Sequence, residues 1–474
     1  MIASPSPLGA TPSRAAGLLL LAITALVIIH DWVPDTRFAG LISLLVIAVI
    51  ALFIRGVGTS HRVFVVVALL LTLVSAALDE GWFSDVRLGL GTAAIVAAFF
   101  CALNTLRNAA STSDAVTRSG LFLAGQPPGR RYAALTVGCQ AYAVLLNYGA
   151  ISLLGSLATA SARREPNEEI RGHRVRRMLL AVQRGFIATL PWSPLSFCVI
   201  ITTTVVPGTS WARGFWPCLV SGVIISGIGW LLDTLFKPKL SIAASPRDAA
   251  VGSWSSLLPL LGLLLVLGTM AGGLHLLTGV RVAGVVITVV PLVALGWIGW
   301  QDRHRRPLRS MGRRARTYVE RDLPGYRGEL TLLMMAGYIG TVGGHLLAPV
   351  LGDSGLDLTS LPSAVLLVAL VWLVPLAGQI GMNPILAVSL FAPLIPEATT
   401  LGVEPTAIMV ALTAGWALSG ACSPFTATTL LIGSFAGVGA AHVGLRWNGL
   451  YALVTATVLS AWVVAFAFLV SPAA

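Results

Sequence analysis

Long apolar runs, each cut off by a short charged segment, recur from residue 15 to residue 470. Eleven of them could cross a bilayer: 15–33, 38–55, 62–78, 89–107, 178–206, 215–236, 254–273, 281–300, 330–351, 406–435 and 447–470. A crossing helix needs about 20 predominantly apolar residues. None of the runs shows the roughly ten-residue alternation of a barrel strand. In hydrocarbon every backbone group must be satisfied internally, which leaves helices as the spanning element. The pattern predicts an all-α polytopic membrane protein. Two further runs, 132–160 and 363–396, do not fit a single crossing.

Their flanks say why. Run 132–160 follows Arg118, Arg130 and Arg131 and precedes Arg163, Arg164, Arg171, Arg174, Arg176 and Arg177. Run 363–396 follows Asp353 and Asp357 and precedes Glu397 and Glu404. One straight crossing would leave a basic cluster outside, against the excess of Lys and Arg in cytoplasmic loops. Each run is expected to enter and leave on one face as a re-entrant hairpin. The first would open inward and turn near Asn147-Tyr148-Gly149; the second would open outward and turn near Gly381-Met382-Asn383-Pro384. Asn, Gly and Pro are the residues that break helices at such turns. With a cytoplasmic N-terminus, Arg107, Lys237, Lys239, the loop 55–62 and the arginine-rich stretch 301–327 all fall inside. The acidic segment at Asp79, Glu80 and Asp85 falls outside, and the C-terminus ends outside. The expectation is a multi-pass protein of a cell (inner) membrane, with about eleven transmembrane helices plus two hairpins.

Composition agrees, with 56% hydrophobic and 11% charged residues among 474. Soluble domains carry about 25% charge, so lipid must solvate much of this chain. The net charge of +12 lies in loops and reads as topology, with no nucleic-acid partner. Five cysteines sit in apolar runs without CxxC spacing, so neither a metal site nor a disulfide framework is implied. The spans hold no paired carboxylates, HExxH or GxSxG, and the chain is not expected to be an enzyme.

Two segments resemble each other. At a constant offset of 230, Gly185 aligns with Gly415, Thr189 with Ser419, Ser193-Pro194 with Ser423-Pro424, and Ser196 with Thr426. Each Ser-Pro interrupts a long apolar run just after an expected hairpin. Proline removes an amide donor and clashes with the preceding turn. The order of three crossings, hairpin, broken crossing and crossing runs over 38–236 and again over 254–470. The two copies begin on opposite faces and are therefore two inverted-topology repeats, with 1–37 as an extra N-terminal helix and 237–253 as a cytoplasmic linker. Many transporters build a midplane site from such repeats and broken helices. A tolerated kink in a packed helix is the plainer reading of either Ser-Pro alone.

This arrangement resembles the ion transporter superfamily, in particular its divalent anion/sodium symporters. The resemblance covers about 38–470 and rests on architecture; the symporters' Ser-Asn-Thr signature at each hairpin tip is absent. It implies elevator-type homodimers that move di- or tricarboxylates with Na⁺. The expected substrate- and ion-binding residues are Asn147, Tyr148, Gly149, Ser193, Pro194, Ser196, Asn383, Pro384, Ser423, Pro424, Thr426 and Thr428. Helix N-termini there would offer amides and positive dipole ends to a small anionic solute. Neutral oxygens would hold Na⁺, and no cofactor beyond that ion is expected. No Asp or Glu lies in a hairpin or a broken helix, which favours Na⁺ over protons, the usual business of intramembrane carboxylates. The rival readings are the membrane subunit of a tripartite transporter and an intramembrane enzyme. Arg184 is expected to snorkel, Asp233 to cap or pair with Lys237 or Lys239, and Trp32, Trp82, Trp211, Trp216 and Trp447 to anchor span ends.

Overall fold

The computed structural model describes residues 10–33, 37–238, 252–303, 307–353 and 358–470. Among them no strand occurs, and helix follows helix. The first half comprises α1 (Ala10–Trp32), α2 (Arg37–Phe53), α3 (Thr59–Leu78), α4 (Trp82–Ser111), α5 (Asp114–Ala124), α6 (Pro128–Leu146), α7 (Tyr148–Arg163), α8 (Glu168–Thr189), α9 (Phe197–Val205) and α10 (Trp211–Leu235). Then follow α11 (Leu258–Thr278), α12 (Val282–Gln301), α13 (Pro307–Thr317), the one-turn α14 (Leu323–Gly325) and α15 (Arg327–Asp353). The chain closes with α16 (Ser363–Gln379), α17 (Pro384–Phe391), α18 (Pro405–Cys422), α19 (Ala427–Ala436) and α20 (Gly449–Ala465).

Nine helical stretches among the described residues are long and apolar enough to cross a membrane. The protein is a polytopic helical membrane protein. Of the eleven predicted crossings, 38–55 forms the 17-residue α2, and 178–206 is divided into α8 and α9.

The stretch 301–327, which reads as a loop in the sequence, contains α13. Four arginines there (Arg309, Arg313, Arg314 and Arg316) are good helix formers, and charge does not prevent a helix from forming outside the hydrocarbon. Helix α5 likewise has no counterpart among the predicted elements. Of the linker 237–253, residues 239–251 lie outside the described residues.

Burial separates the helices by role. The α18–α19 stretch is buried over 89% of its most apolar window, against 17% for α3 and 22% for α11. Leu69, Leu70 and Leu73 on α3 and Leu261 and Leu265 on α11 are exposed; in a bilayer such side chains face lipid. Helix α4 packs against α1, α2, α12 and α15, while α8 packs against α6, α7 and α10. Helix α16 packs along α18, and α17 along α15.

Two glycines let helices meet backbone to backbone. A Cβ on Gly185 would collide with the Thr136 carbonyl oxygen of α6. One on Gly415 would lie 2.9 Å from the Leu370 carbonyl oxygen of α16.

Candidate functional site

Four helix starts converge on one cavity of about 360 Å³. Asn147, Ser196, Asn383 and Thr426 precede α7, α9, α17 and α19 respectively, and all four line this cavity. Each start exists because the chain cannot continue as helix at that point. Asn147 has φ +49°, the one positive φ outside glycine among the described residues. With ψ −130° this lies outside the left-handed helical well and is uncommon for any residue with a Cβ, so α6 ends and α7 begins there. Pro384 at the first helical position of α17 pre-sets that helix, and Asn383 Oδ1 caps it by accepting from Ile385 N at 2.9 Å.

The long runs break between Thr189 and Phe197 and between Cys422 and Ala427. Local hydroxyls take up much of what the breaks free. Ser196 Oγ donates to Leu190 O at 2.6 Å and accepts from Val199 N at 3.2 Å. Thr429 Oγ1 donates to Ser423 O at 2.7 Å, and Thr428 Oγ1 donates to Gly420 O. More distant donors complete the pattern. Trp211 Nε1 reaches Trp192 O at 3.0 Å, and Gln183 Nε2 reaches Gly420 O at 3.2 Å and Ala421 O at 3.3 Å.

Of the twelve residues expected from sequence, the cavity brings together Asn147, Tyr148, Ser193, Ser196, Asn383, Pro384, Thr426 and Thr428. Gly149, Pro194, Ser423 and Pro424 are not part of its lining. Ser423 is fully buried, and its Oγ donates to Gly378 O of α16 at 2.6 Å. Asn147 differs from the other helix-starting residues. Its side-chain amide makes no hydrogen bond within the described residues, so both donor and acceptor remain open to an occupant. Tyr148 stacks on Phe186, ring centroids 5.1 Å apart.

Sequence reasoning missed Glu329, which lines the cavity from the first turn of α15. It belongs to neither a hairpin nor a broken helix, and beside the arginine-rich stretch it looks like a surface charge. It is also the one charged side chain in the lining, and Arg107 attracts it without an ion pair between the two, so its charge is only partly compensated.

For a cation the cavity offers neutral oxygens: Thr426 Oγ1 lies 2.9 Å from Thr428 Oγ1, and the buried Thr429 Oγ1 lies behind the lining at 3.2 Å from Thr426 Oγ1. Among the described residues, no three His, Cys, Asp or Glu side chains gather as metal ligands.

Two expectations for polar residues are corrected. Arg184 does not snorkel: it is 5% exposed, held by Tyr132 Oη at 3.1 Å and Asn448 Oδ1 at 3.2 Å, because neutral partners already surround its guanidinium. Asp233 is held by Arg177 in place of Lys237: both its oxygens accept from Arg177, at 2.8 and 2.7 Å, and Lys239 lies outside the described residues. That fork geometry matches a carboxylate better than an ammonium does.

No protein-family model and no curated protein matches the chain. Solved structures do share its fold. The YdaH transporter of Alcanivorax borkumensis, described as having an unusual topology, superposes with TM-score 0.58 at 19% identity, over 88% of this chain and 100% of that one. MtrF of Neisseria gonorrhoeae, described as illuminating a class of antimetabolite efflux pumps, gives TM-score 0.56 at 14% identity, over 87% and 96%.

Proposed function

We propose that the protein is a secondary active transporter of a small anionic solute such as a di- or tricarboxylate, coupled to Na⁺. One observation carries this reading: four helix N-termini face a single cavity in whose lining Glu329 is the one charged side chain. A helix N-terminus is equivalent to roughly half a positive charge, so four supply about two, of which an ionised Glu329 cancels about one. Fixed dipoles of that net size suit an anion that must also be released, which a buried arginine would hinder. The volume of 360 Å³ lies within the range of about 300–1,000 Å³ usual for small-molecule pockets. Na⁺ would sit beside the Thr426 and Thr428 hydroxyls, where neutral oxygens cluster.

In this reading the two helix pairs α6–α7 and α16–α17 are re-entrant hairpins of two inverted repeats. They move with the broken helices as an elevator, against a scaffold of the lipid-facing crossings that also forms a homodimer. The N-terminus lies in the cytoplasm, the C-terminus outside, and the host bilayer is the inner membrane. The fold shared with two transporters supports transport over an intramembrane enzyme.

A second reading, export of antimetabolites, is favoured by the likeness to MtrF. Flux measurements in proteoliposomes of known orientation separate the two. Uptake of a labelled dicarboxylate driven by an inward Na⁺ gradient is expected. Flux that ignores the gradient would remove Na⁺ coupling, and no flux of any anion would remove the proposal.

A further inference from the structure

A second cavity, of about 440 Å³, opens where α8, α10 and the start of α20 meet, apart from the site above. Arg176, Arg177, Arg184 and Arg446 line it together with His173, and Asp233 is the one carboxylate among its lining residues. Asp233 is already engaged, holding Arg177 through both oxygens. Arg184 is buried, and its partners are neutral: Tyr132 Oη, Asn448 Oδ1, the Gly229 carbonyl at 3.4 Å and the Tyr451 ring 4.1 Å away. Arg176 lies over the Trp447 ring at 5.6 Å and feels the like charge of Arg184. Arg446 is exposed and has no ion pair among the described residues. Three guanidiniums thus share one hollow without a counter-ion among the described residues. Like charges gathered this way repel unless an anion joins them, burial adds to the cost at Arg184, and guanidinium forks match phosphate oxygens.

Large apolar side chains rim the same hollow: Phe236, 67% exposed, at the end of α10, and Leu450, 54% exposed, at the start of α20. Trp447 joins them, as aromatics do at membrane interfaces. A basic pocket with an exposed apolar rim suits a charged headgroup whose acyl chains lie alongside.

We propose that this cavity binds a phosphate oxyanion, supplied by the phosphodiester headgroup of an anionic phospholipid. Basic pockets between transmembrane helices are known to take such headgroups.

The test uses delipidated full-length protein with no transport solute present, so it stands apart from the transport proposal. Thermal stability is titrated with phosphatidylglycerol, phosphatidylcholine and inorganic phosphate, for wild type and for the R176Q/R446Q double variant. Both substituted residues are exposed, so the variant should fold. Saturable stabilisation by phosphatidylglycerol alone is expected, with half-saturation shifted about ten-fold or more in the variant, as the loss of charge-assisted hydrogen bonds implies. Stabilisation by inorganic phosphate at matching concentrations would overturn the lipid as the occupant. Equal effects of the two lipids, or a variant that responds like wild type, would overturn the site.

Discussion

Gln183 of α8 and Gly420 of α18 are 237 positions apart in the chain and joined by one hydrogen bond, Gln183 Nε2 to the Gly420 carbonyl at 3.2 Å. The same amide nitrogen reaches Ala421 O, while Gln183 Oε1 accepts from Asn448 Nδ2 at 3.0 Å. A glutamine that is fully buried thereby serves carbonyls at the end of α18, where the helix breaks and leaves them without amide partners. Gln183→Leu is expected to cost about 1–3 kcal/mol by stranding Ala421 O and an amide hydrogen of Asn448, while Gly420 O keeps Thr428 Oγ1, seen as a lowered melting temperature. A melting temperature equal to wild type would mean that water already serves them.

Gly185 and Gly415 each sit where a broken helix touches the backbone of the first arm of the preceding helix pair. Alanine at either position is expected to destabilise by about 1–3 kcal/mol through overpacking. Gly227 on α10 is the control, since a methyl added there would meet nothing within 4 Å, and Gly227→Ala should be neutral or stabilising. Equal melting temperatures for all three variants would contradict the close approaches.

Much of this is legible in the chain alone. Apolar runs with charged ends mark helices, and Asn147 and Asn383 mark breaks, because turn residues inside apolar runs have few other uses. The Ser-Pro pairs mark the two interruptions. What stays hidden depends on contacts between distant segments. Gln183 and Asn448 meet across 265 positions, and no local pattern distinguishes them from polar residues facing water. Glu329 lies at the edge of a span beside arginines. The environment of Arg184 is set by Tyr132, Asn448 and Tyr451, which lie far from it in the chain.

Ser193 and Ser423 occupy aligned places in the two breaks but differ in surroundings. Both accept from the amide two residues on, Ser193 from Leu195 N at 3.2 Å and Ser423 from Phe425 N at 3.3 Å, but Ser193 lines the cavity whereas Ser423 also donates to Gly378 O. Ser193→Ala is expected to weaken solute binding about ten-fold, the value of one hydrogen bond to a charged group. Ser423→Ala should mainly lower stability, by about 1–3 kcal/mol, through the stranded Gly378 carbonyl. Paired affinity and melting measurements distinguish the two; equal affinity losses would place both hydroxyls on the solute.

Asn147 combines a turn conformation with an uncommitted amide, and substitutions can divide these. Asn147→Gly should keep the melting temperature, since glycine accepts positive φ freely, while solute affinity falls. Asn147→Val should lower the melting temperature, because a β-branched residue is strained at φ +49°. Wild-type affinity in the glycine variant would remove the amide from the site.

The central claim is that four helix N-termini select an anion, and direct titration tests it. Purified protein is titrated calorimetrically with a dicarboxylate and with its uncharged diamide, in wild type and in Asn147→Gly. The account predicts saturable binding of the dianion, at least about ten-fold weaker binding of the diamide, and a weakened dianion in the variant. Equal binding of dianion and diamide, or binding of the diamide alone, would contradict it.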